Sequence, residues 1–241
     1  MIRLLFLIAF MFFTQCTVPP VPVGKEMLPS LFLPFESQDS VCLFEAFGET
    51  KITVNGQRFG APIEIYWKSD RDFKVEFYSP FGGRIASIAS GLGGMWDIKV
   101  GDSLYEKLPQ EKVELGHGFM EYPFTYRQFL HILTGRLLDY AILKKNVDSL
   151  SFDKKKGSCF WFDADVSGRR CDVIATINRK QSSVTDVLYH IKSPGAGDLA
   201  YSSFKDGVPK EIRFSDPSNN YFYLNYDRIF QRTGAQCRKE R

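Results

Sequence analysis

Histidine is scarce in this chain. The three present, His117, His131 and His190, fall in different predicted elements. None has a spaced partner that suggests a metal site or a catalytic triad. No Cys-x-x-Cys occurs. Gly91-Leu92-Gly93-Gly94 lacks the Gly-Lys-Ser/Thr ending of a phosphate loop and reads as a turn. Charge of one sign is also short: a net +3 spread over 241 residues is no basic face, which argues against nucleic acid as a partner. Lys144-Lys145 and Lys154-Lys155-Lys156 read as solvated faces, with acidic lipid headgroups as the alternative contact. Asp163 and Asp165 would share a strand face, and read as a solvent-facing strand end rather than a carboxylate pair. No apolar run reaches membrane-spanning length. No catalytic constellation, metal site or cofactor motif emerges, and the expectation is a non-enzymatic protein.

The longest apolar run, Leu4 to Phe13, follows Arg3 and has the length of a secretory hydrophobic region. Thr14-Gln15-Cys16 comes next, then Thr17-Val18-Pro19-Pro20. This order resembles a bacterial lipoprotein signal. The resemblance implies that residues 1–15 are removed and that Cys16 is lipidated as the mature N-terminus. Gln15 departs from it, since Gly, Ala or Ser usually precedes the cysteine. Residues 16–34 hold Pro19, Pro20, Pro22, Pro29 and Pro34 and read as a stiff tether, extended at about 3.1 Å per residue. Cys42, Cys159, Cys171 and Cys237 remain. Export permits disulfides among them, in three possible pairings, or buried thiols. A turn at Ser167-Gly168-Arg169-Arg170 would pair Val166 with Cys171.

From Thr50 onward, strand follows strand. Ile63, Ile65 and Trp67 alternate with Glu64, Tyr66 and Lys68; Phe73, Val75 and Phe77 alternate with Lys74, Glu76 and Tyr78. A period of two places each apolar set on one sheet face, and short strands joined by tight turns make an antiparallel meander. The interruption at Phe124 to Gly135 has helical period, with Tyr126, Phe129, Leu130 and Leu133 on one face and Gly135 as C-cap. Strands resume at Cys159–Val166, Cys171–Ile177, Val184–Ile191, Leu199–Phe204, Glu211–Phe214 and Tyr221–Tyr226. The expected fold is mainly β with few helices: a curved antiparallel sheet over residues 35–230, covered on one face by helix, then a basic tail at 231–241.

One turn breaks the usual rule that turns carry small polar residues. Ser79-Pro80-Phe81-Gly82-Gly83 holds a phenyl ring at its tip. Four stretches, in order, resemble the LolA/LolB family of lipoprotein-localisation proteins, most closely the LolB-like outer-membrane receptors. They are Ile63 to Lys68, "FKVEFYSPFG" from Phe73 to Gly82, "YPFTYRQFLHILTG" from Tyr122 to Gly135, and Val208 to Ile212 with the strand from Tyr221. Phe129 stands where that family often has Trp, and Gly101 to Tyr122 matches nothing in it. The resemblance implies an open half-barrel with a helical lid. It implies a membrane-contact tip at Phe81, shaped by Pro80 and Gly82. It also implies acyl chains as ligand in an apolar cavity. Ile63, Ile65, Trp67, Phe73, Val75, Phe77 and Trp96 would line that cavity, with Phe129 and Leu133 in the lid. If the other strand face were concave, Glu64, Tyr66 and Tyr78 would point inward instead. The implied partners are lipidated protein cargo, a LolA-like periplasmic carrier and outer-membrane lipids, at the periplasmic face of the outer membrane. The alternatives are a carrier or sensor of another amphiphile, or an envelope assembly lipoprotein that binds a protein partner.

Radiolabelled palmitate is expected to enter the wild-type chain in cells and to be absent from a Cys16→Ser variant; equal labelling of both would overturn the anchor assignment.

Overall fold

Two runs of consecutive strands, remote in sequence, meet side by side. In the computed structural model, residues 21–22, 41–54, 56–69, 71–91, 95–109, 126–136, 150–153, 157–166, 168–178, 183–193, 196–205 and 208–233 are described. The strands are β1 (Val21–Pro22), β2 (Val41–Val54), β3 (Gln57–Ser69), β4 (Asp72–Tyr78), β5 (Arg84–Ser90), β6 (Met95–Val100) and β7 (Ser103–Pro109). After helix α1 (Tyr126–Leu133) come β8 (Leu150–Asp153), β9 (Ser158–Val166), β10 (Arg169–Asn178), β11 (Ser183–Ser193), β12 (Gly197–Lys205), β13 (Val208–Ser215) and β14 (Tyr221–Thr233). They form one 14-stranded sheet in the order β1-β8-β9-β10-β11-β12-β13-β14-β2-β3-β4-β5-β6-β7. Among the described residues the sheet is not closed, and β1 and β7 are its two edges. Every pairing is antiparallel, as tight turns between successive strands require.

The join between the two meanders is β14 against β2, in register from Tyr221↔Thr53 to Thr233↔Val41. A bulge between Tyr226 and Arg228 lets the backbones approach very closely at Gly48, which pairs with Tyr226. A Cβ at Gly48 would lie 2.1 Å from the Asn225 carbonyl oxygen. Only hydrogen fits there.

Alternation decides the burial. Phe44 and Ala46 on β2, Ile63, Ile65 and Trp67 on β3, and Phe73 and Val75 on β4 are buried on one face, while Glu45, Glu64 and Lys74 between them are exposed. The same face continues through Leu224 and Tyr226, Ile212 and Phe214, Leu199 and Tyr201, and Val187, Tyr189 and Ile191. On β9 the alternation slips by one. Cys159 and Trp161 are buried, and then Ala164 and Val166. Asp163 lies between them at φ 49°, and the β9–β10 register shifts there. This bulge keeps both halves of a long strand facing the core. Each fully buried large apolar side chain contributes roughly 1.5–3 kcal/mol.

Several expectations need adjustment. The first strand of the main sheet begins at Val41, not Thr50, and its early half gives β14 a partner as far as Thr233, past the expected boundary at Phe230. Inside the stretch read as a tether, Val21–Pro22 forms an edge strand against Phe152 and Ser151. Proline, with no N–H to donate, is tolerated at such an edge. β7 and β8 were not foreseen. Val166 pairs with Arg169, and Cys171 faces Ala164, so the β9–β10 turn is tighter than the expected Val166–Cys171 pairing; Gly168 permits it at φ 76°. Cys42 is disulfide-bonded, whereas Cys159 and Cys171 are buried thiols. Residues 1–15, Cys16, the rest of the tether, His117, Lys144-Lys145, Lys154–Lys156, Cys237 and the tail beyond Thr233 lie outside the described residues.

Gly48→Ala is expected to cost about 2 kcal/mol or more, through backbone displacement at the β2–β14 join; a lower urea midpoint checks it, and an unchanged midpoint would show that the join tolerates a Cβ.

Candidate functional site

The inner face is the side of the sheet on which α1 lies. Leu130, Ile132 and Leu133 are buried. Phe129 meets Phe222 of β14 edge-on at 5.7 Å between ring centroids. The helix ends in a Schellman-type cap: the Arg136 N–H donates to the His131 carbonyl at 2.9 Å, and the Gly135 N–H to the Ile132 carbonyl at 2.9 Å. Gly135 has φ 71°, and a Cβ there would lie 2.5 Å from Pro209 Cδ. The residue read as a C-cap from sequence is therefore fixed by conformation and by the close approach of β13.

This C-terminal end is docked by polar contacts to several strands. The Tyr226 hydroxyl donates to the Leu133 carbonyl, and the Tyr201 hydroxyl to the Arg136 carbonyl at 3.4 Å. Arg136 Nη2 donates to the Val41 carbonyl at 2.9 Å, and its guanidinium lies 3.8 Å over the Trp67 ring. These contacts reach β12, β13, β14, β2 and β3, five adjacent strands. Five strands span roughly 19 Å if flat, wider than a helix of about 10 Å. The sheet must bend around the helix to make them all.

The residues expected in a cavity occupy this face. Ile63, Ile65, Trp67, Phe73, Val75 and Trp96 are buried; Phe77 and Phe129 are partly buried and packed against the same cluster, and Leu133 is buried under the helix. Trp67, Phe73 and Trp96 sit together, with Phe73 and Trp96 edge-on at 4.6 Å. Glu64, Tyr66 and Tyr78 take the other face, where the Tyr78 hydroxyl is 3.0 Å from Glu64 and from Glu76. Burial, strengthened by hydrogen bonds to those two carboxylates, raises the Tyr78 pKa. Asp163 and Asp165 are exposed; Asp163 pairs with Arg170 and Lys192, as a solvated strand surface does. His190 meets Asp198 at 2.7 Å on the exposed outer side. An open hollow of about 620 Å³ lies on that outer face too, lined by Glu45, Phe47, Glu64, Tyr66, Arg228 and Phe230 among others. It is separate from the apolar inner face. Among the described residues no cluster of His, Cys, Asp or Glu could hold a metal ion.

Sequence reasoning missed Arg136, Tyr201 and Tyr226. The tyrosines carried a signal, since each falls on the apolar phase of its strand; Arg136 carried only its place after Gly135. Burial raises the pKa of Tyr201 and Tyr226 well above the ordinary value, with the neighbouring Tyr189 and Tyr226 adding to the effect on Tyr201. The thiol of Cys171 is pushed up to about 11, first by burial, which makes it a poor nucleophile.

The Phe81 turn stands at one end of the sheet. The Ser79 N–H donates to the Gly83 carbonyl at 2.7 Å, and the Gly82 N–H to the Ser79 carbonyl at 2.9 Å. Gly82 has φ 88°, which a side chain would resist. The tight turn holds the ring outward: Phe81 is 99% exposed and does not fold back onto the sheet. Of the five exposed large apolar residues among those described, Phe59, Phe81, Ile85 and Val100 lie on this same end, beside the β2–β3, β4–β5 and β6–β7 turns. Arg84 anchors the base of the turn to Glu76 at 3.2 Å and Asp102 at 2.6 Å.

No family model and no curated protein matches this sequence. Solved structures do. A DUF1329 family protein from Desulfovibrio piger matches with a TM-score of 0.50 at 12% identity, over 88% of this chain and 94% of that one. A LolA superfamily protein from Nitrosomonas europaea gives a TM-score of 0.45 at 10% identity, over 90% and 97% of the two chains. A Vibrio parahaemolyticus domain named for outer-membrane lipoprotein sorting gives 0.45 at 12% identity, over 88% and 93%. The first of these shares the fold of this chain: one large unclosed antiparallel sheet with very few helices.

A raised tyrosine pKa favours the neutral phenol in the folded state. That stability is complete below the unfolded value of about 10 and is lost as pH rises above it. Alkaline titration followed by phenolate absorbance is expected to show Tyr201 and Tyr226 ionising only as the chain unfolds. Reversible ionisation of all 11 tyrosines in one step would contradict their burial.

Proposed function

We propose that this protein is a non-enzymatic envelope lipoprotein of LolA/LolB type that shelters acyl chains on its inner face. Among the tasks open to such a fold, the receptor role fits best: it takes lipidated proteins from a periplasmic carrier and passes them to the outer membrane. The observation that carries this reading is the continuous apolar face of a sheet that bends around a helix but does not close. Acyl chains are excluded by water and need no directional polar partners, so a bent apolar sheet suffices to hold them. Ile63, Ile65, Trp67, Phe73, Val75, Phe77 and Trp96 are the proposed contacts, and α1, with Phe129 and Leu133, is the proposed lid. Neither nucleotide nor metal enters this scheme.

Delivery needs a place where the protein meets a bilayer. The proposed place is the end bearing Phe81, with Pro80 and Gly82 shaping the tip. Inserting one phenyl ring contributes about 1.5–3 kcal/mol, a bias toward the surface rather than an anchor. Anchoring falls to the lipid on Cys16, through the chain that precedes the sheet.

Protein purified without detergent is expected to carry acyl chains detectable by mass spectrometry, and depletion in cells to mislocalise lipoproteins. Phe81→Glu is expected to keep bound acyl chains but to transfer cargo to vesicles at least tenfold more slowly. Normal transfer by that variant would refute the tip assignment, and wild-type protein free of any acyl chain would refute the binding role.

A further inference from the structure

A face that held only hydrocarbon would have no use for a hydrogen-bond donor. Trp67 is 4% exposed and sits among Phe44, Phe73 and Trp96. Its indole Nε1–H is buried and has no acceptor among the described residues. A buried donor left unmet is costly, and native interiors rarely keep one. Burying a phenylalanine here would have avoided the cost. Directly over the ring, at 3.8 Å, lies the Arg136 guanidinium, held by the Val41 carbonyl and by the helix cap. A planar cation and an indole N–H are thus brought together on a surface that is mostly apolar. Arginine presents its donors in a rigid fork suited to carboxylate or ester oxygen.

We infer that Trp67 and Arg136 form a polar anchor for the oxygen-bearing end of an acyl ligand, a carboxylate or an ester carbonyl, while the chain itself lies on the apolar face. This rests on the proposed acyl-binding role and specifies the ligand: an oxygenated acyl group, in preference to a bare hydrocarbon. The indole N–H gains the acceptor it lacks, and the guanidinium adds charge assistance where the oxygen is anionic. Arg136 keeps its structural contacts, and Trp67 supplies both the platform and a donor. The pair also lies away from the Phe81 end, near the β3–β4 turn, so the oxygenated head and the tip would occupy opposite ends of the sheet.

The test is displacement of the apolar dye N-phenyl-1-naphthylamine from the full-length protein by palmitate, methyl palmitate and hexadecane. Wild type is expected to prefer one or both oxygenated ligands over hexadecane by about tenfold, the value of one well-placed buried hydrogen bond. Preference for palmitate alone identifies a carboxylate, and preference for both identifies the ester oxygen as sufficient. Trp67→Phe keeps the ring beneath Arg136 but removes the N–H, and is expected to bring that preference close to unity. An unchanged preference, or an equal loss for all three ligands, would overturn the anchor while leaving acyl binding in place. Failure of every ligand to displace the dye from wild type would instead refute the acyl-binding role. Should Trp67→Phe fold poorly, the unaltered protein still decides. Palmitate or its ester is expected to move one of the three indole N–H proton resonances downfield where hexadecane does not, and identical spectra with all three ligands would overturn the proposal.

Discussion

Everything in this fold hangs on the pairing of β2 with β14. Each meander could assemble locally, since its neighbours in space are neighbours in sequence. The join between them brings residues 41–54 to residues 221–233, and closing so long a loop carries an entropic cost that local contacts do not offset. The long register from Tyr221↔Thr53 to Thr233↔Val41 offsets it with a run of backbone hydrogen bonds, and Gly48 permits the closest approach within it. Without that join the inner face would be two half-faces, each too narrow to wrap a helix.

The helix depends on the join as well. Its C-terminal end contacts β2 through Val41, β3 through Trp67, and β14 through Tyr226. Those contacts straddle the join, so α1 acts as a clasp across it. Nearer the middle of the helix, Phe129 packs edge-on against Phe222 of β14. Directional bonds at Arg136 and the cap set how the helix end sits on the strands, and the Phe129–Phe222 packing adds buried area beside them. Polar contacts fix orientation, while apolar packing contributes area without specifying angle.

Much of this was legible in the sequence because period two is a strong signal. The alternation of Ile63, Ile65 and Trp67 with Glu64 and Tyr66 identified the strand and split it into an apolar and a polar face, without saying which is concave. Helix α1 was legible from its 3.6-residue stripe and from Gly135. The early half of β2 was not, since Glu45, Gly48 and Glu49 interrupt any apolar run, and Gly48 is needed there by a neighbour that sequence cannot reveal. The bulge at Asp163 hid the phase of β9 for a similar reason: an inserted residue reverses the alternation. The edge strand Val21–Pro22 was hidden by its own prolines, which read as extended spacer. Of the candidate site, alternation separated an apolar set from a polar one but left open which face is inner, whereas the Arg136–Trp67 contact is tertiary and joins residues from a helix cap and a distant strand.

The placement of the cysteines bears on how such a chain matures. Cys159 and Cys171 end up on the inner face of β9 and β10, opposite Ala175 and Ala164 rather than each other. In an oxidising compartment the two thiols are at hazard only while the strands are unformed, because the finished sheet seals them away. On the proposed export route, hairpin closure would have to outpace the oxidant, and β9–β10, built from adjacent sequence with a tight turn, can close early. The seal that keeps both thiols apart is thus a product of the strand register itself, which sets an alanine across from each sulfur.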